Sequence, residues 1–472
     1  MATKVLLIEA PYHDLYAQRD QVTWRRYFPL GIGYVAAKLR EGGFEPELFV
    51  QPFKKDFQTE LDKKLRAFQP DIVGVSTMSP AYPNAVAVAS QVKRWHNVPI
   101  MIGGCHATAS GEEVLLEAPD IDYVVAGECE QVAVDLCRYL EAGAKGSPIK
   151  VNGIGWREGN KAVRSLPSTP IMDVDTIPFP ARDLVDLSFF APHSHMGVGL
   201  RRSTTMLTGR GCPSHCIFCD AHLTMGRKNR AHSPEYVIEE MEMLERQQQM
   251  EFVVIEDDTF TVDEARVEKI CEMKIQRGIK LQWTCFCRSF ELRPALAKLM
   301  ARAGCRIVII GVESGNAEVF KNVRKGGSLG TIRGAVKACN DAGIRTMASF
   351  VIGHPTETPE TVKDTIQFAK DIKPTIAMFF PLVPFPGTAV WKPEFKPATI
   401  DGWRRYLTFD EPPFSLMEGF TPREVKRFAD QATMSFYMRP SQMWRMLRSI
   451  GSPAELMEYI RSGLGVLTRT IR

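Results

Sequence analysis

The feature that most constrains the fold is an alternation of short apolar segments with amphipathic segments, repeated in two separate runs. The strand-like segments of the first run are KVLLIEAP (4–11), EPELFV (45–50), DIVGVST (71–77), PIMIGG (99–104) and DYVVAGE (122–128). Strands that are apolar on both faces and alternate with helices form a parallel sheet covered on both sides. The sequence therefore predicts an N-terminal doubly wound, Rossmann-like α/β domain over residues 1–145.

The second run begins at Ser203 and contains six strand-like segments. They are STTMLTGR (203–210), EFVVIEDD (251–258), KLQWTCFCR (280–288), RIVIIGVES (306–314), IRTMASFVIG (344–353) and TIAMFFPLVP (375–384). Six β/α units are too few for a full eight-unit barrel, so we expect a partial (β/α)6 barrel over 198–400. Residues 146–197, rich in proline and with a hairpin-like turn, are interpreted as a connector with a small β-ribbon, and 401–472 as a small, mostly helical C-terminal region.

Three cysteines with the spacing C-x3-C-x2-C follow the first strand of the second run. Cys212, Cys216 and Cys219 lie in LTGRGCPSHCIFCD, at the end of a barrel strand where such folds keep their chemistry. Three thiolates can bind three irons of a [4Fe–4S] cluster and leave the fourth iron open to a small ligand. A zinc site completed by His215 or His222, and an inert loop, remain as alternatives.

The cysteine segment, with Phe218 as its aromatic residue, resembles the cluster loop of the radical S-adenosylmethionine (SAM) enzymes. The resemblance implies that the open iron binds the amino and carboxylate groups of SAM. One electron then cleaves SAM to methionine and a 5′-deoxyadenosyl radical. The ends of the other strands match the same family and imply SAM contacts for Asp257, Asp258, Arg288, Glu313, Ile352 and Gly353. Arg288 would pair with the SAM carboxylate, Glu313 would bond the ribose, and 351–358 would hold the adenine.

Two further cysteines, Cys285 and Cys287, are separated by one residue in the third barrel strand, a spacing that metal ligands can have. Side chains alternate along a strand, however, and this alternation predicts where the two cysteines point. If Arg288 points into the barrel, Phe286 and Thr284 do so as well. Trp283, Cys285 and Cys287 would then face the helices. We therefore expect Cys285 and Cys287 to be packing residues.

The first domain resembles the cobalamin (B12)-binding domain of one radical SAM subclass. The resemblance is carried by FPLGIGYVAAKLREGGFEPELF, GGCHAT, DYVVAGECEQ and DTIPFPARD, although Cys129 stands where the subclass usually has glycine. It implies cobalamin contacts along the carboxyl ends of the strands, at Pro11, Tyr12, Ser76, Thr77, Gly103, Gly104, His106, Gly127 and Glu128. No D-x-H-x-x-G hexad is present, so a bound cobalamin would have no histidine ligand from that motif. A vestigial domain without corrin is the alternative.

The expected function is cobalamin-dependent radical SAM methylation of an unactivated carbon in a small-molecule substrate. As the resemblance implies, the radical removes a hydrogen atom and cobalamin delivers the methyl group. The alternatives are an anaerobic oxidative cyclase like that of Mg-protoporphyrin monomethyl ester or a ring rearrangement, a corrin-free radical SAM enzyme, and a non-enzymatic iron–sulfur protein. An external electron donor of the flavodoxin or ferredoxin type is expected.

Composition and charge exclude several other classes. No basic stripe with interleaved aromatic residues is present, so nucleic acid is not an expected partner. We find neither a signal peptide nor an apolar run of membrane-spanning length, and we expect a cytoplasmic protein. The net charge is +4. Residues 439–472, with six arginines and two glutamates, carry a charge of +4 by themselves. A solvated helical face is the favoured interpretation of that tail, and docking to a membrane surface or an anionic substrate is the alternative.

Overall fold

The computed structural model describes residues 2–12, 28–50, 56–143, 150–187 and 200–450, together with residues 15, 148, 193–194, 453, 456–457 and 460. Within these ranges each of the two runs of strands forms one large sheet, in which the strands of the run are parallel. The doubly wound domain and the six-stranded partial barrel expected from the sequence are therefore confirmed.

The first sheet has the strand order β2-β1-β3-β4-β5-β6-β7 in the described part of the chain. Its strands are β1 (Lys4–Glu9), β2 (Glu45–Phe49), β3 (Ile72–Ser76), β4 (Ile100–Gly103), β5 (Tyr123–Val125), β6 (Ile154–Glu158) and β7 (Lys161–Arg164). Its helices are α1 (Leu30–Glu41), α2 (Phe57–Phe68), α3 (Tyr82–Trp95), α4 (Cys105–Glu117) and α5 (Glu130–Glu141). Helices α1 and α5 pack on one face and α2, α3 and α4 on the other, each over its own apolar cluster.

The β-ribbon predicted within the connector is present, but it belongs to the first sheet. Strand β6 pairs with β5 in antiparallel fashion, and β7 pairs with β6. Without this ribbon β5 would be an open edge with unpaired backbone groups. The sheet of the first domain thus extends past residue 145, the boundary expected from the sequence, to Arg164.

The second sheet has the order β10-β13-β14-β15-β16-β17, with every neighbouring pair parallel. Counting two short ribbons in this half, the strands are β8 (His193–Ser194), β9 (Leu200–Arg201), β10 (Ser203–Met206), β11 (Gly209–Arg210), β12 (Arg230–Ala231), β13 (Phe252–Ile255), β14 (Gln282–Cys287), β15 (Cys305–Glu313), β16 (Arg345–Ile352) and β17 (Ile376–Pro381). The helices are α6 (Ala221–Met225), α7 (Pro234–Arg246), α8 (Glu264–Gln276), α9 (Pro294–Arg302), α10 (Ala317–Asn322), α11 (Leu329–Asp341), α12 (Pro359–Ile372), α13 (Pro422–Tyr437) and α14 (Pro440–Ser449).

The two faces of β14 separate as the alternation of its side chains predicts. Phe286 packs with Ile307 and Ile309 inside the barrel. Trp283, Cys285 and Cys287 join the large apolar cluster formed with the helices. The prediction that Cys285 and Cys287 are packing residues is therefore confirmed.

The C-terminal region contacts both domains. Trp403 and Tyr406 lie in the apolar cluster of the first domain, whereas Ala429, Ala432 and Phe436 of α13 lie in that of the barrel. In the described part of the chain, none of the helices combines the length and apolar composition needed to cross a membrane.

Candidate active site

The three cysteines of the motif lie together in the loop 211–220, which joins β11 to α6. All three are free thiols of intermediate exposure. Backbone hydrogen bonds hold the loop at two points: the Cys212 amide donates to the Gly226 carbonyl at 3.2 Å, and the Ile217 amide donates to the Val323 carbonyl at 3.1 Å. The thiols are therefore presented by a loop that is anchored on two sides.

Burial raises the pKa of two of these thiols, to about 11 for Cys216 and about 12 for Cys219. They are therefore protonated at neutral pH until a metal binds, and binding must release protons. Among the described residues, no three His, Cys, Asp or Glu side chains converge as ligands of a single ion would. Thiolates that bind separate irons of a cluster need not converge on one point.

A largely buried ion pair between Lys325 and Glu313 lies beside the cysteine loop. Burial alone would lower the pKa of Lys325, but the Glu313 carboxylate and the thiols of Cys216 and Cys219 raise it. Glu313 has a positive φ of 66°. A Cβ atom on Gly311 would lie 2.0 Å from the Lys325 Nζ, so a larger residue there would displace this cation from its present position.

Lys325 is a site residue that the sequence analysis did not find. It follows α10 in a loop and has no spacing relation to the cysteines. Only packing brings its charge to the thiols. Glu313, predicted to bond the SAM ribose, is at the expected strand end, and one of its oxygens contacts Lys325.

Arg288, predicted to pair with the SAM carboxylate, lies at the cysteine loop. Its Nη1 donates to the Ser214 hydroxyl at 3.3 Å, and its guanidinium pairs with Glu291. Glu291 also accepts hydrogen bonds from Thr259 at 3.0 Å and Thr261 at 2.8 Å. This network joins the ends of two barrel strands to the loop.

The two neighbouring aspartates after β13 have different surroundings. Asp257 is buried, and its carboxylate accepts hydrogen bonds from both the amide and the hydroxyl of Thr208 at 2.6 Å. Both oxygens of Asp257 therefore hold the backbone that leads into the cysteine loop, and its SAM contact stays a prediction. Asp258 is exposed, yet the surrounding protein partly desolvates its carboxylate. This desolvation, followed by the negative charges of Asp257 and Asp220, raises the pKa of Asp258 to about 6.

The turn after β16, where Ile352 and Gly353 are predicted to contact SAM, lies near the cysteine loop. The amides of Gly353 and His354 donate to the Glu357 carboxylate at 2.6 and 3.2 Å. The ring of His354 lies 5.9 Å from that of Phe218, centroid to centroid. His354 is buried, and within the described ranges neither of its ring nitrogens has a hydrogen-bond partner. Burial lowers its pKa to about 4, so the imidazole is neutral.

The carboxyl edge of the first sheet is built largely from backbone. The Thr77 amide donates to the Gly103 carbonyl at 3.1 Å, and the Gly127 amide donates to the Thr108 hydroxyl at 3.1 Å. Gly104 has a φ of 97°, and a Cβ atom there would lie 2.3 Å from the Thr77 carbonyl oxygen. Glycine is therefore required where β3 and β4 end side by side.

The remaining predicted contacts on this edge lie at the end of β1 and β3. Ser76 pairs in register with Glu9 and Gly103. The Pro11 carbonyl accepts a hydrogen bond from the Asn84 amide nitrogen at 2.5 Å. Tyr12 packs against the first-domain core.

His106, predicted to serve the cobalamin edge, is enclosed in the core instead. Its ring lies 4.4 Å from that of Tyr82 and 4.7 Å from that of Trp403, centroid to centroid. Its Nδ1 is 3.1 Å from the Ser79 hydroxyl. Burial lowers the pKa of His106 to about 3, so the ring is neutral. Trp403, almost 300 residues later in the chain, covers the imidazole, and the contact of His106 with cobalamin stays a prediction.

Glu128, also predicted to contact cobalamin, belongs to a buried ion-pair cluster between the domains. It pairs with Arg230, and Arg210 donates to Glu130 at 2.6 Å. The Arg210 guanidinium also lies 5.2 Å from the centre of the Tyr34 ring. The carboxylate of Glu128 is therefore paired with an arginine, and its contact with cobalamin stays a prediction.

This cluster brings the two candidate cofactor edges face to face. Arg210 and Arg230 come from β11 and β12, the ribbon at the cysteine loop, whereas Glu128 and Glu130 follow β5. Helices α4 and α6 are in contact beside them. The doubly wound sheet and the cysteine loop of the partial barrel thus share one interface.

Comparison with known proteins agrees with this arrangement. Residues 206–369 match the model of the radical SAM superfamily, and residues 25–136 match that of the B12 binding domain. An uncharacterised methyltransferase of Pyrococcus horikoshii is 33% identical over 419 residues, which are 87% of this chain and 88% of that protein. The anaerobic magnesium-protoporphyrin IX monomethyl ester cyclase of Rubrivivax gelatinosus is 28% identical over 392 residues, 81% of this chain and 68% of the cyclase.

A solved structure has the same overall fold. The radical SAM methyltransferase TsrM from Kitasatospora setae, with cobalamin and a [4Fe–4S] cluster bound, superposes with a TM-score of 0.72 at 20% identity, covering 94% of this chain and 90% of TsrM. The protein belongs to the radical SAM superfamily, in the group that carries a B12-binding domain. It is an enzyme whose cofactors are a [4Fe–4S] cluster, SAM and cobalamin.

Proposed function

We propose that the protein is a C-methyltransferase that uses cobalamin as methyl carrier to methylate an unactivated carbon of a small-molecule substrate. The observation that carries the proposal is the interface between the domains, where the edge of the B12-binding sheet is joined to the cysteine loop by buried ion pairs. The similarity to the Pyrococcus methyltransferase over most of both chains supports the same activity.

The donor set of the loop fits the iron–sulfur cofactor. Three thiols on one anchored loop would hold three irons and leave the fourth for SAM. When bound, the cluster and SAM would supply the chemistry of hydrogen-atom abstraction, and cobalamin would supply the methyl group. The protein's own contribution is to hold these groups and exclude water.

Several side chains would prepare the loop for this task. Lys325 places a positive charge beside Cys216 and Cys219, which stabilises thiolates against the cost of burial. Arg288 is tied to the loop through Ser214, and its second partner Glu291 fixes the direction of the guanidinium. Asp258 and the turn at Gly353 complete the side of the loop where SAM would bind.

The first-domain edge fits a large planar ligand by shape. Gly103, Gly104 and Gly127 are partly exposed and carry no side chain, so the backbone of this edge is accessible there. The enclosed ring of His106 does not offer a ligand to the cobalt. Cobalamin held here would therefore receive no donor nitrogen from His106.

We further propose that the electron comes from an external flavodoxin or ferredoxin, since the cysteine motif serves a single cluster. A cytoplasmic location fits the eleven free thiols and the oxygen-sensitive cluster.

Oxidative cyclisation is the second candidate, because the Rubrivivax cyclase is similar over 81% of this chain. The experiment that separates the two is anaerobic reconstitution with iron, sulfide and hydroxocobalamin, followed by incubation with reductant and methyl-labelled SAM. We expect about four irons and one cobalt per chain. We also expect formation of S-adenosylhomocysteine that requires cobalamin, and label in the product. Cobalt without any methyl transfer from SAM would favour the cyclase, and four irons without cobalt would contradict both.

A further inference from the structure

The last described helix is attached to the barrel by its polar side. In α14, Gln442 is buried and donates to the Thr375 carbonyl at 3.0 Å. One turn later, Arg445 donates to the Lys373 carbonyl at 2.5 Å. These contacts fix which side of the helix faces the protein.

The apolar side of α14 therefore points away from the protein. Met443 is 51% exposed, Trp444 59% and Leu447 54%. On an ordinary surface helix the apolar stripe faces the core and the polar residues face water, the reverse of this arrangement. Helical residues further along the chain are exposed as well, at Leu456, Met457 and Ile460.

The surroundings of this apolar face are positively charged. The Arg448 guanidinium lies 5.5 Å from the centre of the Trp444 ring. Residues 439–450 contain three arginines and no acidic residue. A groove of about 410 Å³ beside the helix is lined by Arg345, Lys373 and Arg445, without any carboxylate among its lining residues.

We propose that α14 docks the protein on an anionic phospholipid membrane, with Met443, Trp444 and Leu447 inserted at the interface. An amphipathic helix that carries both tryptophan and arginine is typical of the headgroup region of a membrane. The indole ring contacts both the acyl chains and the polar headgroups there, and the guanidinium binds the lipid phosphate. The cytoplasmic leaflet carries the complementary negative charge. A second copy of the chain would bring the same arginines together, and their repulsion disfavours self-association through this face.

The docking face lies at the opposite end of the barrel from the cysteine loop. Lys373 and Thr375 precede β17 and Arg345 begins β16, whereas the cysteines lie at the carboxyl ends of the strands. Docking would therefore leave the candidate active site open. The inference does not depend on the proposed methyl transfer.

The test uses the full-length protein and sedimentation with lipid vesicles. Vesicles of phosphatidylcholine with about 25% phosphatidylglycerol should bind the protein, and pure phosphatidylcholine vesicles should bind roughly tenfold less. The double variant W444Q/L447Q should bind the anionic vesicles roughly tenfold more weakly than the wild type. L116Q, which changes a leucine 57% exposed on α4, is the matched control and should bind as the wild type does. Circular dichroism and iron content verify that each variant is folded.

Two results would overturn the inference. One is binding of W444Q/L447Q to anionic vesicles at wild-type strength. The other is a lipid-free dimer, seen by analytical ultracentrifugation, that disappears in W444Q/L447Q, because the apolar face would then be covered by a second copy of the chain.

Discussion

The two edges that meet at the domain interface present different chemistry. The barrel edge offers side chains: three thiols, the Lys325 ammonium and the Arg288 guanidinium. The first-domain edge offers backbone and glycine, while its acidic residues Glu128 and Glu130 bind arginines across the interface. A cluster needs specific donor atoms, whereas a large corrin can be held by shape. Substitutions should therefore act on the two cofactors separately, except at the ion pairs that join the edges.

The largest effect is expected for Cys216→Ala, which removes one of three iron ligands. We expect the variant to lose its cluster and SAM cleavage but to retain about one cobalt per chain after reconstitution. Iron and cobalt counts on the same sample measure both. Cys105→Ala, at an exposed single cysteine, is the control and should keep its iron. Loss of cobalt together with iron in Cys216→Ala would show that the edges are not independent.

Glu130→Gln should have the next largest effect, because it leaves the buried Arg210 guanidinium without its closest carboxylate. Breaking a buried pair on one side costs about 3–5 kcal/mol of unfolding free energy. Denaturant unfolding measures the loss. Lys337→Gln breaks an exposed pair with Asp341 and should cost less than about 1 kcal/mol. Equal losses in the two variants would mean that the interface cluster contributes no more than a surface pair.

Gly104→Ala tests whether the carboxyl edge of the first sheet binds cobalamin through the shape of its backbone. The new Cβ would meet the Thr77 carbonyl oxygen, and we expect a loss of about 2–4 kcal/mol in stability and weaker cobalamin binding with iron unchanged. Gly43→Ala is the matched control, since Gly43 has a similar φ of 89° with open space around it. It should show only the backbone strain of about 1–2 kcal/mol. If both variants bind cobalamin equally well, the narrow edge at Gly104 is not part of the binding site.

The enclosed His106 predicts a pH effect on stability. Its pKa is about 3 in the folded state, below the ordinary value of 6.5, so its contribution is present above pH 6.5 and is lost as the pH falls towards 3. The slope from this group is about 1.4 kcal/mol per pH unit within that window. His106→Phe should flatten the dependence of the unfolding free energy on pH by that amount and leave cobalamin affinity unchanged. A large fall in cobalamin affinity would restore the sequence-based assignment of His106 to the ligand.

The smallest effect is expected for Lys325→Met, which removes the positive charge beside the cluster. We expect the midpoint potential of the cluster to become more negative by roughly tens of millivolts, since a fixed cation favours the added electron. A redox titration followed by electron paramagnetic resonance measures the shift. Lys325→Arg keeps the charge and should shift the potential less. An unchanged midpoint potential in Lys325→Met would show that the charge of Lys325 has no effect on the cluster and that the residue serves only packing.

The main architecture was predictable from the local pattern of the sequence. The pairings of side chains that are far apart in the chain were not predictable in this way. The apolar segments indicated both sheets, and the alternation along 280–288 correctly assigned Cys285 and Cys287 to the helix side. The connector ribbon was recognised, but not its pairing with β5. Three predicted site residues lie at the expected strand ends, but each contacts a side chain from a distant part of the sequence. The pairs are Asp257 with Thr208, His106 with Trp403 and Glu128 with Arg230.

By itself, the sequence determined the two-domain order, the strands and the cysteine spacing, because periodicity and motif spacing are local properties of the chain. Only the tertiary structure decided which charged groups face the cofactors and which hold the domains together. Arg210 and Glu130 are 80 residues apart, and Lys325 comes more than 100 residues after Cys216. The strength of the interaction between two such charged groups depends on their distance and their burial in the folded protein. Neither quantity produces a periodic pattern in the sequence.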